Sequence, residues 1–171
     1  MDVTDPLLRN FGTIGFLVAV TLTALTTEPA SPQRNQLVAQ RSLVAEAVVD
    51  LKRSNQRWLE IDLSSQRLFA WQGRRQVYAV VISTGKDATP TPTGVFAVQT
   101  QHRYARMQGE DYDIPDVPYT MYYHHGYAIH GAYWHNSFGT PVSHGCVNVA
   151  VNHARWLYYW ANISTPVVIH H

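Results

Sequence analysis

WLEIDL (58–63), RLFAWQ (67–72), RQVYAVVIST (75–84) and TGVFAVQTQ (93–101) are the segments on which the fold turns. Each is short, partly alternating, and rich in β-branched and aromatic residues, which is the pattern of strands that bury one face. Turn signals separate them: Ser64 and Ser65, then Gly73, then GKDATPTP (85–92). Shorter apolar stretches follow at TMYY (120–123), YAIH (127–130) and PVVIH (166–170). In this half of the chain only VAVNHARWLYYWA (149–161) has helical spacing, and its aromatic side chains read as core. The pattern predicts a mainly β domain of mixed α+β type over 58–171. A sandwich or partly closed barrel with one late helix fits it.

Upstream, LVAQRSLVAEAVVDLKR (37–53) puts Leu37, Val44, Val48 and Leu51 at helical spacing, behind a polar linker at 28–36 with two prolines. Residues 31–57 are therefore expected to form a linker and helical stalk, an N-terminal helical extension of the domain. The five Lys or Arg against two acids there read as a solvated helix face. Phe11 to Thr27 (FGTIGFLVAVTLTALTT) carries no charge and follows Arg9. That run resembles a signal-peptide core or a short membrane anchor. Its roughly 17 residues lie at the lower limit for crossing a bilayer. Residues 1–30 are thus expected to direct export to the periplasm or cell envelope, and to be the only part of the chain that meets a membrane. The net charge of +1 excludes the basic footprint of a nucleic-acid binder. A single cysteine excludes an internal disulfide and an all-thiolate metal site.

The densest chemistry lies in HGYAIHGAYWHNSFGTPVSHGCVN (125–148), which holds four of the nine histidines, four of the ten glycines and the only cysteine. A thiol is a weak nucleophile until deprotonated, and a nearby imidazole can take its proton. Two histidines are candidates. His144 lies two positions before Cys146; His130 ends a predicted strand and is followed by Gly131. Gly145 permits a tight turn, and amides near 144–146 could converge as an oxyanion hole for acyl transfer. Against this stands the general behaviour of lone cysteines, most of which are small buried hydrophobes.

SHGCVN (143–148) after IHG (129–131) resembles the active-site signature of the L,D-transpeptidase (YkuD-like) catalytic domain. Other blocks resemble that family in the same order: LEIDLSSQRLFAW (59–71), VISTG (81–85), TPTGVF (91–96), VPYTMYY (117–123) and TPVVI (165–169). The resemblance implies a cysteine-dependent acyltransferase with Cys146 as nucleophile and His130 as general base. It further implies that the Gly131 carbonyl orients the imidazole, that amides around His144, Gly145 and Cys146 bind the oxyanion, and that Ser143 and His144 shape the site. Asn148 stands where many members have arginine. It is expected either to contact the donor peptide or to cap the helix starting near Val149. Tyr119, Met121, Tyr123, Tyr133 and Trp134 are candidates for the cleft walls, with Met121 and Tyr133 preferred. Residues 102–118 are expected to be a lid loop.

The implied reaction is peptidoglycan 3→3 cross-linking through a thioester, with release of D-alanine. The partners are donor and acceptor stem peptides, and carbapenem β-lactams are expected covalent inhibitors. Neither a cofactor nor a metal is implied. Water as acceptor would make the enzyme an L,D-carboxypeptidase, and a protein acceptor would make it an anchoring enzyme. A zinc-binding or non-catalytic peptidoglycan-binding envelope module is the reading from a different class, with His124, His125, His130, His135, His144 and Cys146 as its ligand types. Activity is expected to have fallen by pH 5, as the Cys–His pair becomes fully protonated.

Overall fold

The computed structural model describes residues 31–171. Residues 1–30, and with them the run expected to direct export, lie outside the described residues. The fold is mainly β, with two sheets, one late helix and an N-terminal helix. Helix α1 (Pro32–Arg53) precedes β1 (Arg57–Asp62), β2 (Arg67–Gln72), β3 (Arg75–Val81), β4 (Gly94–Ala97), β5 (Thr100–Gln108) and β6 (Asp113–His124). Strands β7 (Tyr127–Gly131) and β8 (Val147–Val149), helix α2 (Val151–Trp160) and β9 (Pro166–His170) complete it. The five-stranded sheet runs β3-β2-β1-β9-β4 and the four-stranded sheet β5-β6-β7-β8.

One core lies between the sheets. Leu59, Ile61, Leu68, Val167 and Ile169 supply it from the first sheet, Met121, Ile129, Val147 and Val149 from the second, and Ala154 and Leu157 from α2. The central strands β1 and β9 are also covered on their outer face. Trp58 and Val168 point away from the core and pack with Val44, Val48 and Leu51 of α1. Trp58 stacks on Trp71 (5.5 Å between centroids) and donates from its indole to the Gly73 carbonyl (3.0 Å).

Helix α1 is therefore docked on the sheet and is no free stalk; residues 31–171 form a single unit. It also begins five residues earlier than its apolar spacing suggests. Ser31 caps it by accepting from the Arg34 amide (3.3 Å), and Pro32 occupies the first turn, where its missing N–H costs nothing. The expected lid loop at 102–118 is instead a hairpin of β5 and β6, turning at 109–112.

Gln66 ties the first sheet to the site. It sits in the β1–β2 turn with φ +52° and is buried. Its side chain accepts from the Thr84 amide (2.9 Å) and donates to the Thr84 hydroxyl (2.7 Å), while its carbonyl accepts from the Ile82 amide (2.9 Å). The segment so pinned carries Ser83, which pairs with Asn148 in both directions (2.9 and 2.8 Å).

Candidate active site

Strands β7 and β8 are parallel, with Ile129 opposite Val147 and His130 opposite Asn148. Side chains alternate along a strand, so this register sends Ile129 and Val147 into the core and His130 and Asn148 to the other face. Cys146, two residues before Asn148, shares that face. There His130, Cys146 and Asn148 line a cavity of about 260 Å³, together with Ser143, His144, Tyr112, Met107, Ile114, Trp134 and His135.

His130 is 2% exposed and stacks on Trp134 (5.7 Å, 29°). Its Nδ1 lies 3.2 Å from the Gly131 carbonyl. A carbonyl can only accept, so Nδ1 carries the ring proton and Nε2 keeps a free lone pair. Burial pulls the His130 pKa from 6.5 to about 4; the Gly131 hydrogen bond opposes this, and neighbouring His135 adds slightly to it. Burial pushes the Cys146 thiol upward, and a backbone hydrogen bond from Ala128 offsets part of the rise. Both shifts disfavour charge. A protonated thiol and a neutral imidazole, both lining one cavity, are therefore favoured at neutral pH over a thiolate and an imidazolium.

The turn holding Cys146 is braced on all sides. Gly145 has φ +110°, and a Cβ there would run into the Tyr127 ring. The Ser143 hydroxyl donates to the Cys146 carbonyl (2.6 Å) and accepts from the Gly145 amide (3.0 Å). The Thr91 hydroxyl donates to the Gly145 carbonyl (2.8 Å), and the Thr89 hydroxyl to the Ser143 carbonyl (3.1 Å). With its amide already bonded to the Ser143 hydroxyl, Gly145 shapes the turn. Gly131 also has a steric reason to be glycine, since a Cβ would meet Pro118 Cγ at 2.9 Å.

His144 faces the hairpin. Its Nε2 lies 3.0 Å from Asp111 Oδ2 and 3.4 Å from Lys86 Nζ, and its ring stacks on Tyr112 (4.8 Å, 25°). The hairpin tip is thus clasped onto the Cys146 turn through His144. Asn148 is 3% exposed, and its carboxamide lies 2.9 Å from His135 Nε2. It is not a helix cap: α2 begins at Val151 after Ala150, without a side-chain cap.

Four of the five expected wall residues lie elsewhere; Tyr119 and Tyr123 pack with the core. Met121 is fully buried in the core, opposite Ile129, because the β6 alternation turns it inward. Tyr133 is 54% exposed, and its hydroxyl donates to the Pro115 carbonyl (2.7 Å), outside the cavity. Trp134 forms the wall in its place, and Met107 is the methionine that reaches the cavity. His135 stands out in the sequence only as a metal-ligand type, and Met107 and Ile114 not at all. The last two lie in the segment read as a lid loop. Among the described residues, no three His, Cys, Asp or Glu converge as a metal-ligand group. A larger hollow of about 600 Å³ lies between α1 and β9; two of its polar groups, Glu60 and His170, bond each other at 3.1 Å.

The model of the YkuD family, the L,D-transpeptidase catalytic domain, matches residues 56–169. L,D-transpeptidase 2 of Mycobacterium tuberculosis is 33% identical over 96 residues, 48% of this chain and 23% of that protein. The solved L,D-transpeptidase of Enterococcus faecium superposes with a TM-score of 0.64 at 28% identity, covering 68% of this chain and 50% of that one. L,D-transpeptidase 3 of Mycobacterium tuberculosis, solved with a faropenem-derived adduct, gives 0.62 at 21% identity over 67% of this chain and 60% of that one. The chain spans less than two thirds of each of these relatives. With the family model covering the domain from β1 into β9, the chain belongs to the L,D-transpeptidase catalytic domain family.

Proposed function

We propose that the protein is a peptidoglycan L,D-transpeptidase that works through a Cys146 thioester and forms 3→3 cross-links. The observation that carries this reading is the His130 Nδ1–Gly131 bond. It leaves a basic Nε2 on the cavity wall shared with the Cys146 thiol. Residues 1–30 would deliver the domain to the cell envelope, where the stem peptides are.

In the first half-reaction Cys146 Sγ attacks the carbonyl between the diamino acid at stem position three and the terminal D-alanine. The thiol proton passes to His130 Nε2 as the C–S bond forms, because neither charged partner is favoured beforehand. The oxyanion is met by the amides of His144 and Cys146. Collapse breaks the C–N bond, and His130 returns the proton to the departing D-alanine amine. In the second half-reaction the side-chain amine of another stem attacks the thioester carbonyl. His130 takes a proton from that amine and gives it to Sγ, which leaves as the thiol. The faropenem-derived adduct on the mycobacterial relative supports acylation of this site by a β-lactam as well.

Mass spectrometry after incubation with purified disaccharide-tetrapeptide tests the reading. A dimer lighter by one D-alanine is expected. Tripeptide alone would make the protein a carboxypeptidase, and unchanged tetrapeptide would contradict the proposal.

A further inference from the structure

His135 takes no part in the steps above, yet it lines the same cavity and touches Asn148. Its two ring nitrogens have different neighbours. The Ser137 amide points at Nδ1 (3.1 Å). An amide N–H can only donate, so Nδ1 is an acceptor and the neutral ring carries its proton on Nε2. That proton faces the Asn148 carboxamide at 2.9 Å. With Asn148 Nδ2 toward the ring, two donors would oppose each other. The other orientation of the amide, nearly identical in shape, places Oδ1 on Nε2–H and makes a hydrogen bond. Asn148 Nδ2 is then turned away from His135, on the face that Asn148 shares with Cys146 and His130.

Both partners are held in register by one residue. The Ser83 hydroxyl donates to the Ser137 carbonyl (2.8 Å), which fixes the loop carrying His135. The Ser83 backbone bonds Asn148 in both directions, which fixes the strand. The His135 ring is flanked by Phe138 (5.1 Å) and Trp134 (6.2 Å). A doubly protonated ring would set an N–H against the Ser137 amide, and burial also lowers the His135 pKa.

We infer that His135 is a positioning residue that locks the Asn148 carboxamide with its N–H edge toward the cavity, as a hydrogen-bond donor to an oxygen of the acyl-donor peptide. This rests on the acyl-transfer reading of the site. It gives an uncharged replacement for an arginine contact, and the direction of the donor is set by a neighbouring histidine.

The test is the rate of Cys146 acylation by a carbapenem, followed by intact mass, beside the rate of Cys146 alkylation by iodoacetamide. His135→Phe keeps the ring volume and removes the proton; it is expected to slow acylation about 10- to 100-fold, the scale of one buried hydrogen bond left unmade. His135→Gln can offer an amide N–H where Nε2–H was and should recover most of the rate. Asn148→Ala should lose as much as His135→Phe, and the double variant no more than Asn148→Ala alone. Alkylation should stay within about twofold of wild type in all of them, since the thiol and His130 are untouched. Wild-type acylation matched by His135→Phe would overturn the inference alone. So would additive losses in the double variant, or alkylation falling in step with acylation. A wild-type protein that is never acylated would contradict the proposed function and this inference with it.

Discussion

His130 and His144 line the cavity of Cys146 in opposite surroundings. His130 lies on a strand inside the molecule, with one nitrogen bonded to its own backbone neighbour and the other free in the cavity. His144 lies on a turn, partly exposed, with its Nε2 shared between Asp111 and Lys86 and its ring under Tyr112. Closeness in sequence favours His144, two residues from Cys146. Closeness across the β7–β8 ladder favours His130, sixteen positions away along the chain. Under the proposed function, proton transfer falls to the residue whose surroundings leave it one free lone pair, and the holding of the hairpin tip to the other.

The sharpest way to break this division is to remove each histidine in turn. His130→Ala should lower kcat/KM about 100- to 10,000-fold, the usual worth of a positioned general base. Steady-state assays on tetrapeptide would show it, and an intact rate would end the assignment.

The next largest effect concerns pH. His130 titrates near 6.5 when unfolded and near 4 when folded. Between those values the unfolded chain binds a proton that the folded protein does not, so stability falls as pH drops through this window, by up to about 3 kcal/mol from this residue. Denaturant melts at pH 7 and pH 4.5 should show the loss, and His130→Gln should reduce it. Equal pH dependence in both proteins would mean that His130 is not buried neutral. The same shift moves the acid limb of the rate. Loss of activity already by pH 5 is expected from an ordinary histidine; with His130 held neutral, the rate should persist to pH 5 and fall only on approaching pH 4.

The smallest effect belongs to the clasp. His144→Ala and Asp111→Ala should each cost about tenfold or less, mainly in KM, because an exposed contact between a turn and a hairpin tip holds little free energy. Steady-state kinetics on tetrapeptide would resolve it. A loss as deep as that of His130→Ala would make His144 part of the proton chemistry.

The parts of the fold that are legible in the sequence are those whose burial is one-sided. Leu59 and Ile61, Leu68 and Ala70, and Val167 and Ile169 alternate because one face of each strand meets the core. The hairpin is illegible for the converse reason. β5 (TQHRYARMQ) is an edge strand exposed along most of its length, so nothing apolar recurs. β6 runs through Pro115 and Pro118, with positive φ at Asp116 and Tyr119. β8 is only three residues long and owes its existence to pairing with β7. At the site, Cys146, His130, Ser143, His144 and Asn148 meet in one cavity and stand out by residue type and order. His135 does not, because its contact with Asn148 depends on how the loop at 132–142 is folded back by Ser83 and Thr84.

The most direct test of the central claim is the rate at which Cys146 gains the acyl group from a tetrapeptide stem, read by intact mass in wild type, His130→Ala and His144→Ala side by side. The structure predicts that wild type and His144→Ala accumulate the thioester while His130→Ala stays unmodified over the same time. Equal rates for the two variants, or a faster His130→Ala, would contradict it.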